Sequence, residues 1–376
     1  MDRLRVLHCY AGNLYGGIET MLATMARERS ACPSLEPAFA LCFEGRLGEE
    51  LRAAGVDLHI LPPVRASRPW TVWRARKRLR DLLAQEQFDA AVCHACWPMA
   101  VFGPAVAQAN CPLVFWAHDV LTGKPWTERW AARLRPELVI ANSRFTAQSV
   151  GRVFHLAPVE VVYCPVAQAC LETTVRDETR KELKANAADV VILMASRMER
   201  WKGFTVLLEA LAKLPRQPAW SCWIAGGAQR SNECALLDEL QGLAKRFELQ
   251  ARVKFLGQRA DVPRLMAAAD VYCQPNLSPE PFGVALIEAL YAGLPVVTSA
   301  AGGALEIADD SCGTTVAPGD AAGLAGVLTE LVGNAALRAR LGGRGTARAK
   351  SLCDPGMILE RVKELCSRLA TAAPRQ

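Results

Sequence analysis

The 376-residue chain has few histidines and tyrosines, five of each, and lacks any long uninterrupted apolar run. Met1–His8 has no apolar core of the roughly 7–15 residues a secretory signal needs and reads as a first strand, so the protein is expected to stay in the cytoplasm. Ala90–Ala107 comes nearest to a membrane span, but His94, Pro98, Gly103 and Pro104 interrupt it. A strand, a turn and a buried helix fit it better. Without a tandem repeat or low-complexity tract, solenoid and linker architectures drop out. Without G-x-G-x-x-G or a Walker A loop, dinucleotide and P-loop readings are weak.

What is present is the material of a large globular protein. Half the residues (51%) are apolar and 22% are charged, enough to bury a core in each of two domains. The fourteen cysteines are scattered through apolar strands, as with Cys9, Cys42, Cys111, Cys222 and Cys273, and read as reduced buried hydrophobes. Cys93 and Cys96 have metal or redox spacing, yet no second pair completes a zinc site.

Short β-rich runs alternate with helical patterns, the signature of parallel sheets with crossover helices. Strands are expected at Arg5–Tyr10, Ala38–Phe43, Asp57–Leu61, Ala90–His94, Leu113–Ala117, Leu138–Ala141 and Glu160–Tyr163. A second series covers Val190–Ala195, Trp220–Ala225, Val253–Leu256, Val271–Gln274, Pro295–Ser299 and Thr314–Val316. The polar stretch Cys164–Ala188 breaks the rhythm and reads as the link between two doubly wound, Rossmann-like domains with a cleft between them. The boundaries are drawn at 1–168, 169–353 and a C-terminal helical piece, 354–376.

In such sheets ligands bind outside the carboxyl ends of the strands. After the first strand, Gly16-Gly17-Ile18-Glu19 opens a helix whose N–H groups could meet phosphate or sugar hydroxyls. After Leu113–Ala117 come His118-Asp119, and His8 and His94 also fall near strand ends, so three of the five histidines gather at one sheet edge. Arg197 and Lys202, ahead of Gly203, form a candidate diphosphate clamp, the alternative being a solvated basic loop. In Ser278–Val297, Glu280 precedes a helix and Glu288 lies within it among core positions. Glu288 therefore needs a partner, either ribose hydroxyls or a neighbouring Lys or Arg. Gly302-Gly303 leads to Glu306 after the next strand.

Taken together and in this order, these motifs resemble the retaining nucleotide-sugar glycosyltransferases of family 4, which have the two-domain GT-B fold, across nearly the whole chain. The resemblance implies transfer of a sugar from a UDP- or GDP-type donor to a hydroxyl of a glycan or lipid-linked acceptor, with retention. Arg197 and Lys202 would hold the diphosphate, Glu288 the ribose, and Glu280 would face the sugar. The N–H groups of Phe282, Gly283 and Val284 would meet sugar hydroxyls and phosphate, and Gly17 would approach the phosphate. Gly16, His118 and Asp119 would lie on the acceptor side, with His118 near the reacting sugar; Glu280 and His118 are the catalytic candidates. The C-terminal helix would cross back onto the first domain. Tyr163-Cys164-Pro165-Val166-Ala167 departs from the Asn-Gly-Val-Asp-like turn of many relatives, so no donor contact is assigned there.

No Asp-x-Asp pair is present to carry a divalent ion, and no metal or other cofactor is expected. The segment Arg65–Arg80 is basic throughout. As a helix from Pro69 it buries Val72, Ala75, Leu79 and Leu82 and aligns Trp70, Trp73, Lys77 and Arg80. With Arg65, Arg74 and Arg78, and a second patch at Trp126, Arg129, Trp130 and Arg133, it suits peripheral contact with an anionic membrane, the alternative being Trp packed inward. No nucleic-acid motif accompanies the charge. The competing functions are a nucleotide-sugar epimerase of the same fold, which needs no acceptor, and a non-catalytic sugar-nucleotide or glycan-binding protein.

Overall fold

The computed structural model describes residues 3–13, 15–186, 188–227 and 231–372. Met1 and Asp2 of the expected first strand, Leu14 of the first glycine loop and Ala187 of the expected link lie outside them. The chain divides into two compact units, residues 1–167 with 353–376, and residues 168–352.

The first unit carries β1 (Leu4–Tyr10), α1 (Gly17–Arg27), β2 (Leu35–Leu41), α2 (Arg46–Ala53), β3 (Asp57–Ile60), α3 (Pro69–Gln85), β4 (Ala90–His94) and α4 (Cys96–Gln108). It continues through β5 (Leu113–Ala117), α5 (Trp126–Ala131), β6 (Leu138–Ala141), α6 (Arg144–Val150) and β7 (Val159–Val161). All neighbours are parallel, in the order β3-β2-β1-β4-β5-β6-β7. Strand residues alternate between faces. Leu7, Cys9, Ala91, Cys93, Phe115 and Ala117 enter one core with Ala75, Leu79 and Leu82 of α3 and Phe102 of α4. The opposite face carries Val6, His8, Phe39, Val92, His94, Trp116 and His118, all buried.

The second unit begins with α7 (Val175–Glu182), then β8 (Val190–Ala195), α8 (Phe204–Leu211), β9 (Trp220–Ala225), α9 (Ser231–Arg246), β10 (Val253–Gly257), α10 (Val262–Ala268) and β11 (Val271–Gln274). After it come α11 (Val284–Tyr291), β12 (Val296–Ser299), α12 (Ala304–Ile307), β13 (Gly313–Val316), α13 (Ala321–Gly333) and α14 (Ala335–Cys353). Its parallel sheet has the order β10-β9-β8-β11-β12-β13. The last helix, α15 (Pro355–Ala372), belongs to the first unit, where it packs on α1, β1, β2 and β4 through buried Leu359, Val362 and Cys366.

Three readings of the sequence need correction. The stretch expected as a link contains α7, which is an element of the second unit. Arg176 and Arg180 bind Asp270 at 2.6 and 2.5 Å, and Arg180 Nε donates to the Ala268 carbonyl at 2.9 Å. β2 starts at Leu35 and ends at Leu41, because the N–H groups of Cys42 and Phe43 turn to the Ala11 carbonyl at 3.3 and 3.1 Å instead of continuing the ladder. On α3, Trp70 and Trp73 are not packed inward: each is 59% exposed, whereas Ala75, Leu79 and Leu82 are buried.

Backbone crossings at the strand ends depend on glycine. Gly203 has φ +81°, and a Cβ there would lie 1.8 Å from the Pro275 carbonyl oxygen. Gly203→Ala is expected to cost about 2–4 kcal/mol from left-handed strain and overpacking together. Gly326→Ala, inside α13 with open space around it, should be neutral or stabilising by up to about 1 kcal/mol. Thermal unfolding of the two variants beside the parent measures this contrast.

Candidate functional site

In the second unit the carboxyl ends of β8, β11 and β12 converge on Glu280, which is buried. Its Oε2 accepts from Lys202 Nζ at 2.8 Å, Gln274 Nε2 at 2.9 Å and Asn276 Nδ2 at 2.8 Å. Three donors on one oxygen, one of them a cation, compensate a charge that burial alone would not tolerate. The Tyr272 hydroxyl donates to Gln274 Oε1 at 2.9 Å and sits equally far from the Ala195 carbonyl. Burial, then the negative charges of Glu288 and Glu280, push the Tyr272 phenol well up, so it remains a donor.

The loop after β12 closes over the same residue. Gly302 bridges Glu280, and the Gly303 N–H donates to the Glu280 carbonyl at 2.7 Å. A Cβ on Gly302 would meet that carbonyl oxygen at 2.4 Å. Gly283 has φ +108° and precedes Val284, the first residue of α11. The N–H groups of such a first turn have no intrahelical acceptor. Glu288 sits half-buried in the middle of α11.

The two basic candidates are placed differently. Lys202 is enclosed, ion-paired with Glu280 and lying 3.9 Å from the Trp201 ring centroid. Arg197 is more open and pairs with Glu199 at 3.2 Å, and Glu199 also accepts from Trp201 Nε1 at 3.1 Å. Lys202, Glu280, Gly283 and the Gly302-Gly303 pair are thus brought together. Sequence reading missed Tyr272, Gln274, Asn276 and Glu199. The visible signal was a polar Gln-Pro-Asn closing an apolar strand.

In the first unit, His8, His94 and His118 form a hydrogen-bonded file across adjacent strands. His8 pairs in register with Val92, and His94 with Trp116, so each next histidine lies two residues further along its strand and on the same face. His8 Nδ1 is 2.9 Å from His94 Nε2, and His94 Nδ1 is 3.0 Å from His118 Nε2. Trp116 stacks on His94 and His118, and Asn142 Nδ2 donates to the His118 carbonyl at 3.1 Å. Gly16 is the N-cap of α1 and Gly17 its first residue, while Asp119 is exposed. Cys93 is buried within β4, and none of the fourteen cysteines is in a disulfide. The one metal-like grouping among the described residues, Asp57, His59 and Glu86, contains Arg5, whose Nη2 binds Asp57 and Glu86 at 3.0 and 2.9 Å.

Burial lowers His8 and His118 to about 3 and, with the two flanking imidazoles, drives His94 well below its usual value. The folded protein therefore holds three neutral rings that the unfolded chain protonates near pH 6.5. Between about pH 6.5 and 3 the unfolded state binds more protons, so stability falls as pH falls, by about 1.4 kcal/mol per pH unit for each ring once the unfolded form is charged. Urea unfolding at pH 7, 6 and 5 should show this loss, and His94→Phe should flatten its slope.

A family model described as glycosyl transferases group 1 matches residues 175–348, and one described as glycosyltransferase family 4 matches residues 15–168. The human alpha-1,3/1,6-mannosyltransferase ALG2 is 26% identical over 318 residues, 76% of this chain and 75% of that protein. The lipopolysaccharide core biosynthesis glycosyltransferase LpsE of Rhizobium meliloti is 34% identical over 44% of this chain and 46% of its own. Among solved structures, Anabaena Alr3699/HepE in complex with UDP-glucose is similar with a TM-score of 0.85 at 25% identity, over 97% of this chain and 100% of that one. Matching models on both units, and the fold shared with the solved neighbour, identify the chain as a member of the family 4 glycosyltransferases with the GT-B fold.

Proposed function

We propose that the protein transfers a sugar from a nucleotide-diphosphate sugar to a hydroxyl of a glycan or lipid-linked acceptor, with retention and without a divalent metal. The observation that carries this reading is the Lys202–Glu280 pair set among Gln274 and Asn276. The lysine ammonium has three donors and can hold Glu280 and a phosphate oxygen together. Arg197 joins it on the diphosphate, and the first-turn N–H groups at Gly283 and Val284 add partial positive charge. Glu288 accepts from the ribose hydroxyls. These fixed charges stabilise the departing diphosphate in the role a metal ion plays elsewhere.

In the proposed front-face path, the bond from the anomeric carbon to the diphosphate oxygen breaks and the acceptor oxygen bonds that carbon on the same face. The acceptor proton passes to a phosphate oxygen. Glu280 faces the developing positive charge on the sugar, and His118 and Asp119 serve the acceptor side. The neighbour solved with UDP-glucose makes a UDP-sugar the first donor to try, and the mannosyltransferase relatives make GDP-mannose the second.

Calorimetry with UDP-, GDP-, ADP- and dTDP-sugars should show saturable binding of one nucleotide class. Glu288→Ala should weaken it on the order of 100-fold through loss of charge-assisted hydrogen bonds to ribose, and turnover should survive EDTA. Binding of none of these donors would overturn the reading, and activity restored only by added magnesium or manganese would overturn its metal-free form.

The acceptor class is supported by a surface on the first unit. Trp70 and Trp73 on α3 and Trp126 and Trp130 on α5 are exposed, and both helices pack against α4. Arg65, Arg74, Lys77 and Arg78 are exposed around the first pair. Indole rings beside cations suit the interface of an anionic bilayer. Among the described residues no helix is long and apolar enough to cross a membrane. The contact proposed is peripheral, with the cytoplasmic leaflet. Two relatives are named for lipid-related glycans, a phosphatidyl-myo-inositol mannosyltransferase and LpsE. Flotation with anionic vesicles at low salt should recover the protein. Lys77→Ser with Arg78→Ser should weaken binding roughly 30-fold, at about 1 kcal/mol per cation, and absence of flotation by the parent would exclude the surface.

A further inference from the structure

The histidine file has a direction, and the direction follows from counting protons. A neutral imidazole has one N–H and one bare nitrogen. Each of the two links, His8 Nδ1 to His94 Nε2 and His94 Nδ1 to His118 Nε2, needs one of each. Once both are made, all three rings carry the proton on Nδ1 or all three carry it on Nε2.

The buried end decides between these states. His8 Nε2 is inaccessible and has no hydrogen-bond partner among the described residues. If the rings were Nε2–H, this atom would be an orphaned N–H packed in an apolar interior. If they are Nδ1–H, it is a bare acceptor, which interiors tolerate better. His8 and His94 are wholly buried, and the residual exposure of the file is at His118, at 6%. Phe39 stacks on His8, and Trp116 stacks on the other two rings, so their planes are held.

We infer that His8 and His94 are positioning residues that lock His118 in its Nδ1–H tautomer, so that His118 offers a hydrogen-bond donor to an oxygen of the bound sugar. The sugar as recipient rests on the sugar-transfer reading above; the tautomer does not. His118 then polarises or orients a ligand oxygen and does not act as the base that takes a proton from the acceptor. That proton goes to the departing phosphate.

The test is a long-range proton–nitrogen NMR correlation on the full chain labelled with nitrogen-15 histidine at pH 7, which reports the tautomer of each ring without any ligand. Three neutral rings protonated on Nδ1 are expected. His94→Phe removes the donor that faces His118 Nε2 and should leave His118, the more open end of the file, as a mixture of tautomers. Nε2–H rings in the parent would overturn the inference whether or not the variant folds, and so would an unmixed Nδ1–H signal for His118 in folded His94→Phe. A protein with Nδ1–H rings that binds no nucleotide sugar would fail the transfer reading alone. One that binds donor with Nε2–H rings would fail only the tautomer lock.

Discussion

A buried carboxylate must be surrounded by donors, and in the second unit that requirement organises three strand ends at once. Glu280 draws Lys202 from the loop after β8, Gln274 and Asn276 from the end of β11, and the Gly302-Gly303 backbone from the loop after β12. Removing one partner of such an ion pair leaves an uncompensated charge, at a cost of about 3–5 kcal/mol. The glycines follow from the same constraint: backbones meeting this closely leave no room for a Cβ at Gly203, Gly302 or Gly303. The arrangement leaves cationic and N–H groups grouped around one acid, which suits a ligand carrying both a diphosphate and a sugar.

At the ends of β1, β4 and β5 the first unit buries a file of uncharged polar rings, in addition to the acids Glu19 and Glu128. His8, His94 and His118 are kept neutral by burial and satisfy one another along the sheet. Neutral rings suit hydroxyl oxygens, whereas the fixed cations of the second unit suit phosphate. One architecture, a parallel sheet with helices on both faces, thus presents two different chemistries at the same topological place, the carboxyl ends of the strands.

Much of the site was legible because its signals are local. Glycine pairs ahead of helices, the acid ahead of α11 and the basic loop after β8 are contiguous patterns whose physical reasons act within a few residues. Gln274, Asn276 and Glu199 were not legible, because their importance lies in what they touch. Gln274 is an ordinary strand-end residue until Tyr272, Asn276 and Glu280 are around it. The helix Val175–Glu182 was hidden by its own polarity. It is held by arginines on Asp270, and it has no apolar stripe for a pattern to reveal.

By itself the sequence determined the alternation of strands and helices, the two-sheet organisation and the glycine and acid motifs, since periodicity and backbone freedom are properties of short segments. The tertiary structure decided which polar atoms meet. Lys202 and Glu280 are 78 residues apart and His8 and His94 are 86 apart, and only parallel pairing of their strands brings them within hydrogen-bond distance. The order of strands in the sheet is set by long-range packing, and no local pattern encodes it. The protonation states of the histidines, and the donors on the central acid, follow from that order.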